Sequence, residues 1–511
     1  MNLGYEIFEK VLLEFPDSAS GKTDTWTVDD AFKGVAILGG TGSGKTSASG
    51  KTLALKYLRE GWGGIVLCAK TDEARLWKQY CDETGRTKDL ILFGKGAVHT
   101  EGVHQGRELS FNPIDYELKR SGEGAGETHN ITNIFMNIYR MGNRIAGEGD
   151  NKEDRFWDSA LKRCINRIVE LIKLSNEDLS FKNMVKVLSS NLEIEQDQIL
   201  TVANQLNGVE TDKPIDLGAE ENYCITCLAK ALINISSRGE VLSAEDENAY
   251  NLVVNYFTHA FNSLGGKVRA TITESFMGLA EPFLNGILSR HFAKATNIFP
   301  EWTFEKQKII VLDFSIKEYL DAGVISNCIF KMMFQQAVER RDIRKYPIPV
   351  FLWADEAQYF INPYDQIFLT TARSSRTSTV YLTQNISNYL SVMGSGSDAK
   401  AKVDSLLGNL CTKIFHANMD AETNEYASRL IGNNLTMIET TGKTEKRYGL
   451  NETLSNSEAA QFLPQYFPMN FTTLKTGGEV NKKLVEAVVM VSGKKWSNRK
   501  NFKEIVFKQS Y

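Results

Sequence analysis

The chain has 511 residues, room for about two to four domains at roughly 100–200 residues each. Hydrophobic residues make up 42%, charged residues 24%, and only 10 prolines occur, which excludes a disordered or Pro-rich scaffold. Lys+Arg number 59 against 63 Asp+Glu, so the formal charge of −4 excludes a uniformly basic nucleic-acid binder while leaving room for local patches.

The opening stretch MNLGYEIFEKVLLEF contains Glu6, Glu9 and Lys10 and lacks a small-residue cleavage motif, so it does not read as a signal peptide. No apolar run approaches the ~20 residues that a membrane span requires. The expectation is a cytoplasmic chain without a transmembrane anchor. The seven cysteines lie far apart, the pattern of reduced core thiols. Cys224 and Cys227 form one CxxC, without the second pair or the histidines that a zinc site needs.

Near-continuous apolar runs predict strands at Gly34–Gly39, Gly64–Ala69, Asp89–Phe93, Lys308–Phe314, Pro349–Ala354, Ser378–Thr383 and Thr412–His416. Such runs belong to strands buried on both faces of a parallel sheet. Helical patterns at Thr46–Glu60, Asn327–Arg344 and Tyr364–Arg373 separate several of them. Between Glu127 and Ala260 helical patterns dominate, with charged, Gly-rich loops at Ser121–Glu127 and Gly147–Asp154 near the entrance of the stretch. The fold expected is α/β: a RecA-like P-loop domain with a mostly parallel central sheet and an inserted all-helical domain. The expected boundaries are 1–30 for an N-terminal segment, 31–126 and 263–511 for the two parts of the P-loop domain with a C-terminal extension, and 127–262 for the insertion.

Gly39, Gly40, Thr41, Gly42, Ser43, Gly44, Lys45 and Thr46 fit G-x-x-x-x-G-K-[ST] in full, after an apolar strand and before an amphipathic helix. In such a loop backbone N–H groups close around the β-phosphate and the helix N-terminus adds its positive end. Lys45 then meets the β- and γ-oxygens of ATP, and Thr46 ligates Mg²⁺. Three further GKT triplets begin at Gly21, Gly50 and Gly442, but Pro16, Lys45 and Met437 stand where the first glycine is required.

The run Val350–Ala354 is followed by Asp355 and Glu356, the acids a P-loop needs at the end of a neighbouring strand. Asp355 is read as the Mg²⁺-orienting carboxylate and Glu356 as the general base for the attacking water. Asp313, which also ends an apolar run, is the alternative acid. Gln384, after the next strand, is placed to sense the γ-phosphate and orient water. Arg373 is read as a residue that completes a neighbouring subunit's site, with Arg376 as its alternative. Lys494, Lys495, Arg499, Lys500, Lys503 and Lys508 cluster near the C-terminus against one acid, Glu504, with Trp496 and Phe502 between them. The cluster could track a phosphate backbone or simply be a solvated terminal strand; Lys267 and Arg269 form a smaller candidate.

These motifs, in this order, resemble the HerA/FtsK superfamily of hexameric DNA-pumping ATPases, and within it the TraG/TraD-type coupling proteins of conjugative type IV secretion. Besides the P-loop (Walker A) and Trp353–Gln358 (Walker B), the likeness rests on Ile65–Asp72, Leu109–Asp115, the spacing of Arg373 and Gln384, and Leu407–Phe415. The chain departs at Cys68-Ala69, where an acid is usual, and at Lys70-Thr71, where Lys-Gly is usual. The resemblance implies ATP and Mg²⁺ as cofactors, a homo-hexamer, DNA as the translocated partner, and secretion, relaxase or defence-system proteins as further partners. Two alternatives stay open: a nucleotide-gated assembly or sensor ATPase, and a motor that moves protein.

Overall fold

A computed structural model describes residues 6–17, 21–98, 105–145, 154–190, 192–211, 213–238, 244–394, 397–444 and 453–509. Its strands, in chain order, are β1 (Val11–Pro16), β2 (Thr23–Thr27), β3 (Val35–Leu38), β4 (Gly63–Leu67), β5 (Leu90–Gly94), β6 (Ile309–Asp313), β7 (Val350–Ala354), β8 (Thr377–Thr383), β9 (Thr412–Phe415), β10 (Asn433–Thr444), β11 (Thr453–Pro464), β12 (Leu484–Val491) and β13 (Phe502–Lys508). Nine of them make one sheet in the order β13-β12-β9-β3-β8-β7-β4-β6-β5. From β9 to β5 every pairing is parallel, while β12 and β13 add antiparallel strands at the β9 edge. The seven apolar runs read from sequence are the seven parallel strands. Every residue of β3, β4, β7, β8 and β9 is buried, which is why these runs do not alternate.

Strands of other chemistry escaped the sequence pattern. β13 alternates buried and exposed positions because only one of its faces is covered. β10 and β11 form a long antiparallel ribbon, and their Asn, Thr, Gly and Lys residues give no apolar run. The decoy triplet at Gly442 lies in this ribbon. β1 and β2 form a small hairpin inside the N-terminal segment.

Between β5 and β6 the described regular structure is helical, apart from an isolated bridge between Val98 and Glu108. Thr128–Ile145, Asp154–Leu174, Phe181–Ser189, Gln196–Leu206, Tyr223–Arg238 and Ala244–Asn255 lie in the stretch where helical patterns are expected, and Gly266–Ala280 and Gly286–Phe292 follow. Their apolar faces join one face of the sheet in a continuous core that includes Phe111, Phe135, Phe181, Phe257, Phe276 and Phe330. Residues 147–153 of the predicted loop Gly147–Asp154 lie outside the described residues. The other sheet face is covered by the helices Lys51–Arg59 and Glu73–Glu83 and by the N-terminal hairpin. There Tyr57 stacks on Trp62 with centroids 4.4 Å apart, and Trp77 on Phe351 at 5.4 Å.

The predicted helix Asn327–Arg344 spans Ile316–Arg340 instead, with a break at Leu320 (φ 48°, ψ −126°). It stops at Arg341, whose guanidinium turns to the carbonyls of Ile348, Ser375 and Arg376 at the starts of β7 and β8. This helix is tied to the next, Pro363–Thr371, by a fully buried ion pair: Lys331 Nζ lies 2.6 Å from Asp365 Oδ2. Asp365 also accepts from the Gln335 amide, the Tyr381 hydroxyl and the Asn362 backbone N–H, so its charge is fully solvated by protein.

Candidate nucleotide site

The P-loop connects β3 to the helix that starts at Thr46. Gly42 and Gly44 take positive φ, 73° and 84°, as the tight turn demands. A Cβ on Gly44 would sit 2.7 Å from Val485 of β12, and one on Gly39 2.7 Å from His416. The loop is thus pressed against the end of β9 and against β12 of the antiparallel edge. Its first backbone donors anchor it to neighbouring strand ends: Gly39 N–H to the Thr383 carbonyl and Gly40 N–H to that of Ala417. The helix opens with a wide turn in which Gly50 N–H reaches the Lys45 carbonyl at 2.8 Å.

Lys45 is buried and is not ion-paired with any described carboxylate. Thr46 Oγ1 donates to Asp355 Oδ2 at 2.9 Å, joining residues 309 apart in sequence. Asp355 and Glu356 follow β7, which lies beside β8 and β4, so both acids emerge where the parallel strands end. Glu356 sits in the left-handed region (φ 52°, ψ 47°), a strained placement that turns its carboxylate back into the site.

Both oxygens of that carboxylate have partners. Oε1 accepts from Lys70 Nζ at 2.9 Å and from Gln384 Nε2 at 3.3 Å, and Oε2 accepts from Gln358 Nε2 at 3.1 Å. Burial pulls the Glu356 carboxyl up, but Lys70, Gln358 and the charge of Lys45 together hold it below its ordinary value. Lys70 also stands 3.8 Å from Asp355 Oδ2; burial would lower its ammonium, and the two acids raise it instead. Gln384 is a bridge, since its Oε1 accepts from Thr41 Oγ1 of the P-loop at 3.3 Å.

The alternative acid Asp313 ends β6, between β4 and β5, and its raised pKa comes from burial and from Glu318. The structure brings Asp355, not Asp313, against Thr46. Arg373 lies at the far end of β8 from Gln384, about 23 Å away at 3.3 Å per residue over seven residues. It is exposed, donates to Asp29 Oδ1 at 2.7 Å and lies 5.5 Å over the Phe8 ring. Arg376 is held by its own chain, donating to the Pro347 carbonyl at 2.9 Å.

Three contributors escaped the sequence reading. Lys70 was visible only as part of the family-like segment, since nothing in sequence places it on the Walker B acids. Glu73, buried, accepts from Ala69 N–H at 2.8 Å and is pushed well up by burial and by Asp355. His416 lies beneath the P-loop, its Nε2 2.7 Å from Ser49 Oγ, and burial pushes it down to about 4. Among the described residues no cluster of three His, Cys, Asp or Glu could hold a metal; Cys224 and Cys227 are buried thiols.

A cleft of about 230 Å³ opens over the P-loop, walled by Lys51, Leu76, Gln79 and Tyr80. A nucleotide with Mg²⁺ fits the groups present. Ser43 Oγ is buried without a partner, and Thr46 and Asp355 offer the hard oxygen donors that Mg²⁺ takes.

Residues 349–463, which carry Asp355, Glu356, Arg373 and Gln384, match the family described as "TraM recognition site of TraD and TraG". The chain is TraG/TraD-like, with a P-loop fold. Solved structures of the plasmid coupling protein TrwB share that fold over nearly the whole length. TrwB in complex with ADP and Mg²⁺ superposes with a TM-score of 0.53 at 13% identity, covering 100% of this chain and 92% of TrwB. The unbound bacterial TrwBdeltaN70 gives 0.52 at 13%, covering 99% and 90%. TrwB with a non-hydrolysable ATP analogue gives 0.52 at 12%, covering 99% and 91%. No curated protein matches the sequence. Among the described residues, no helix of this TraG/TraD-like chain is long and apolar enough to cross a membrane.

Proposed function

We propose that the chain is an ATP-hydrolysing motor that works as a homo-hexamer in the cytoplasm and translocates DNA, as a coupling protein-like ATPase. The observation that carries this reading is the Thr46–Asp355 contact, which joins P-loop and acid around one phosphate site, with Glu356 and Gln384 beside it. Lys45 would bind the β- and γ-oxygens of ATP. Gln384 would orient a water, and Glu356 would take its proton as the water oxygen bonds to the γ-phosphorus and the bond to the β–γ bridging oxygen breaks. Mg²⁺ held by Thr46 and Asp355 would neutralise phosphate charge.

Arg373 cannot reach its own P-loop across the length of β8, so its role in this reading is in a neighbouring subunit's site. We assign residues 31–126 and 263–511 to the motor domain and 127–262 to an inserted helical unit, because both halves of the sheet lie outside that stretch. The match to a TraM recognition region makes 349–463 the stretch proposed to dock secretion or relaxase-type proteins. The second reading, a nucleotide-gated sensor, draws on Lys70, which occupies the carboxylate that hydrolysis needs.

ATPase assays of the full chain with and without DNA decide between them. A motor gives DNA-stimulated turnover, which Glu356→Gln stops while leaving ATP bound. Slow turnover indifferent to DNA would favour the sensor. Loss of nucleotide affinity in Glu356→Gln would move the base elsewhere.

A further inference from the structure

A second cleft, of about 930 Å³, opens at the other end of the sheet, where β9 begins and β12 ends. It gathers Lys413 of β9 with Lys494, Lys495, Arg499 and Lys500 of the β12–β13 connection, and no Asp or Glu lines it. In a chain of net charge −4 this is a marked local segregation. The basic cluster seen in sequence is thereby re-sorted. Lys503 is used within the fold, 2.7 Å from Asp24 Oδ2, and Lys494 is 3.3 Å from Asp30 Oδ2. Lys495, Arg499 and Lys500 are exposed and paired with no described carboxylate.

The connection is built to hold these charges in place. Trp496 is buried and packs edge-on to Phe15 at 6.0 Å. Its backbone N–H donates to the Lys500 carbonyl at 3.0 Å, and its carbonyl accepts from Arg499 N–H at 2.8 Å. Ser497 is pinned to Asp17 and Asp24. At the floor, the Lys413 ammonium rests on the carbonyls of Leu407 and Leu410, at 2.9 and 2.8 Å. Burial pushes it down to about 8, and an anion in the cleft would favour its charged form.

We propose that this cleft binds the phosphodiester backbone of a nucleic-acid strand, at a site separate from the nucleotide. Three exposed cations that no described carboxylate answers, set around a cleft that no Asp or Glu lines, suit a ligand that carries charge at every repeat. An acidic peptide cannot add itself as a strand along the cleft floor, because β9 pairs with β3 and β12, and β12 with β9 and β13; the open edge of the sheet is the outer side of β13. Tyr426, half-buried in the wall, offers a face on which a base can stack. The proposal deepens the motor reading, from which it takes DNA as its probe.

The test is the full chain titrated with a labelled single-stranded DNA oligonucleotide over a salt series, against the triple variant Lys495→Gln, Arg499→Asn, Lys500→Gln. Asn tolerates the left-handed backbone at position 499 (φ 63°), and an unchanged thermal unfolding midpoint shows that the variant folds. The variant is expected to bind on the order of tenfold more weakly, with a salt slope shallower by about 2, since each lost phosphate contact on a single strand removes about 0.7. Its ATPase rate without DNA stays at the parent value. A parent-like affinity and slope overturn this site while leaving the motor reading intact. A parent that binds no DNA overturns both. Displacement of DNA by poly-glutamate as effectively as by unlabelled oligonucleotide overturns the choice of a phosphodiester ligand in favour of an acidic peptide.

Discussion

Where β3, β7 and β8 end, Asp355 and Glu356 face Thr46, Lys70, Gln358 and Gln384, so each acid is answered from within the chain. Where β9 begins and β12 ends, Lys495, Arg499 and Lys500 stand around a cleft with no carboxylate, and exposed Arg373 sits at that same end of the sheet on half-buried Asp29. The first region is a closed network in which each group depends on the others. The second holds Lys495, Arg499 and Lys500, which no described carboxylate answers. Changes at the closed end should therefore act all-or-none, and changes at the open end should act by degrees or through a second molecule.

The largest effect is expected from Lys45→Ala. It removes the charge that meets the β- and γ-phosphates, so ATP turnover should fall to background. DNA binding without nucleotide should be retained. Turnover near the parent rate would sink the site assignment, and coupled loss of DNA binding would erase the distinction between the two ends.

Arg373→Ala should cut turnover by on the order of 10³, the range of arginine fingers, while ATP affinity holds. Unfolding should barely change, because Arg373 is exposed, Asp29 keeps Lys33 as a partner, and an ion pair at the surface contributes at most about 1 kcal/mol. Mixing Arg373→Ala with Lys45→Ala subunits should restore part of the activity, in proportion to the product of the two fractions. No recovery in proven mixed oligomers would mean that Arg373 does not act on a neighbour.

Lys331→Met tests the frame that carries both ends. It leaves Asp365 buried without its cation and should lower the free energy of unfolding by about 3–5 kcal/mol, read as a shift of the urea midpoint at constant m. Replacing both partners with apolar residues should cost less than this single change. If the single variant is as stable as the parent, the pair is not holding the two helices together.

The smallest effect is a pH dependence at the closed end. His416 has a folded-state value of about 4 and an ordinary value of 6.5, so between those limits the unfolded chain binds the extra proton. Stability should therefore fall as pH drops from 6.5 towards 4, by about 3 kcal/mol at most. His416→Gln should flatten that part of the profile. An unchanged profile would show that other groups carry the acid sensitivity.

The sequence by itself determined the seven parallel strands, because burial on both faces demands unbroken apolar runs. It also determined the P-loop, whose chemistry is local: glycines for the turn, then a lysine and a threonine at the head of a helix. The acids Asp355 and Glu356 were legible for the same reason, standing directly after such a run. The ribbon of β10 and β11 was not legible, since its strands are polar and largely exposed, and β13 reads only as an alternation over seven residues. Tertiary structure alone decided which charge answers which. Lys70 reaches Glu356 from 286 residues away, Arg373 is carried the length of β8 from its own P-loop, and Lys413 joins a C-terminal loop to form the basic cleft. Such pairings depend on strand order in the sheet, which local propensity and hydrophobic period do not encode.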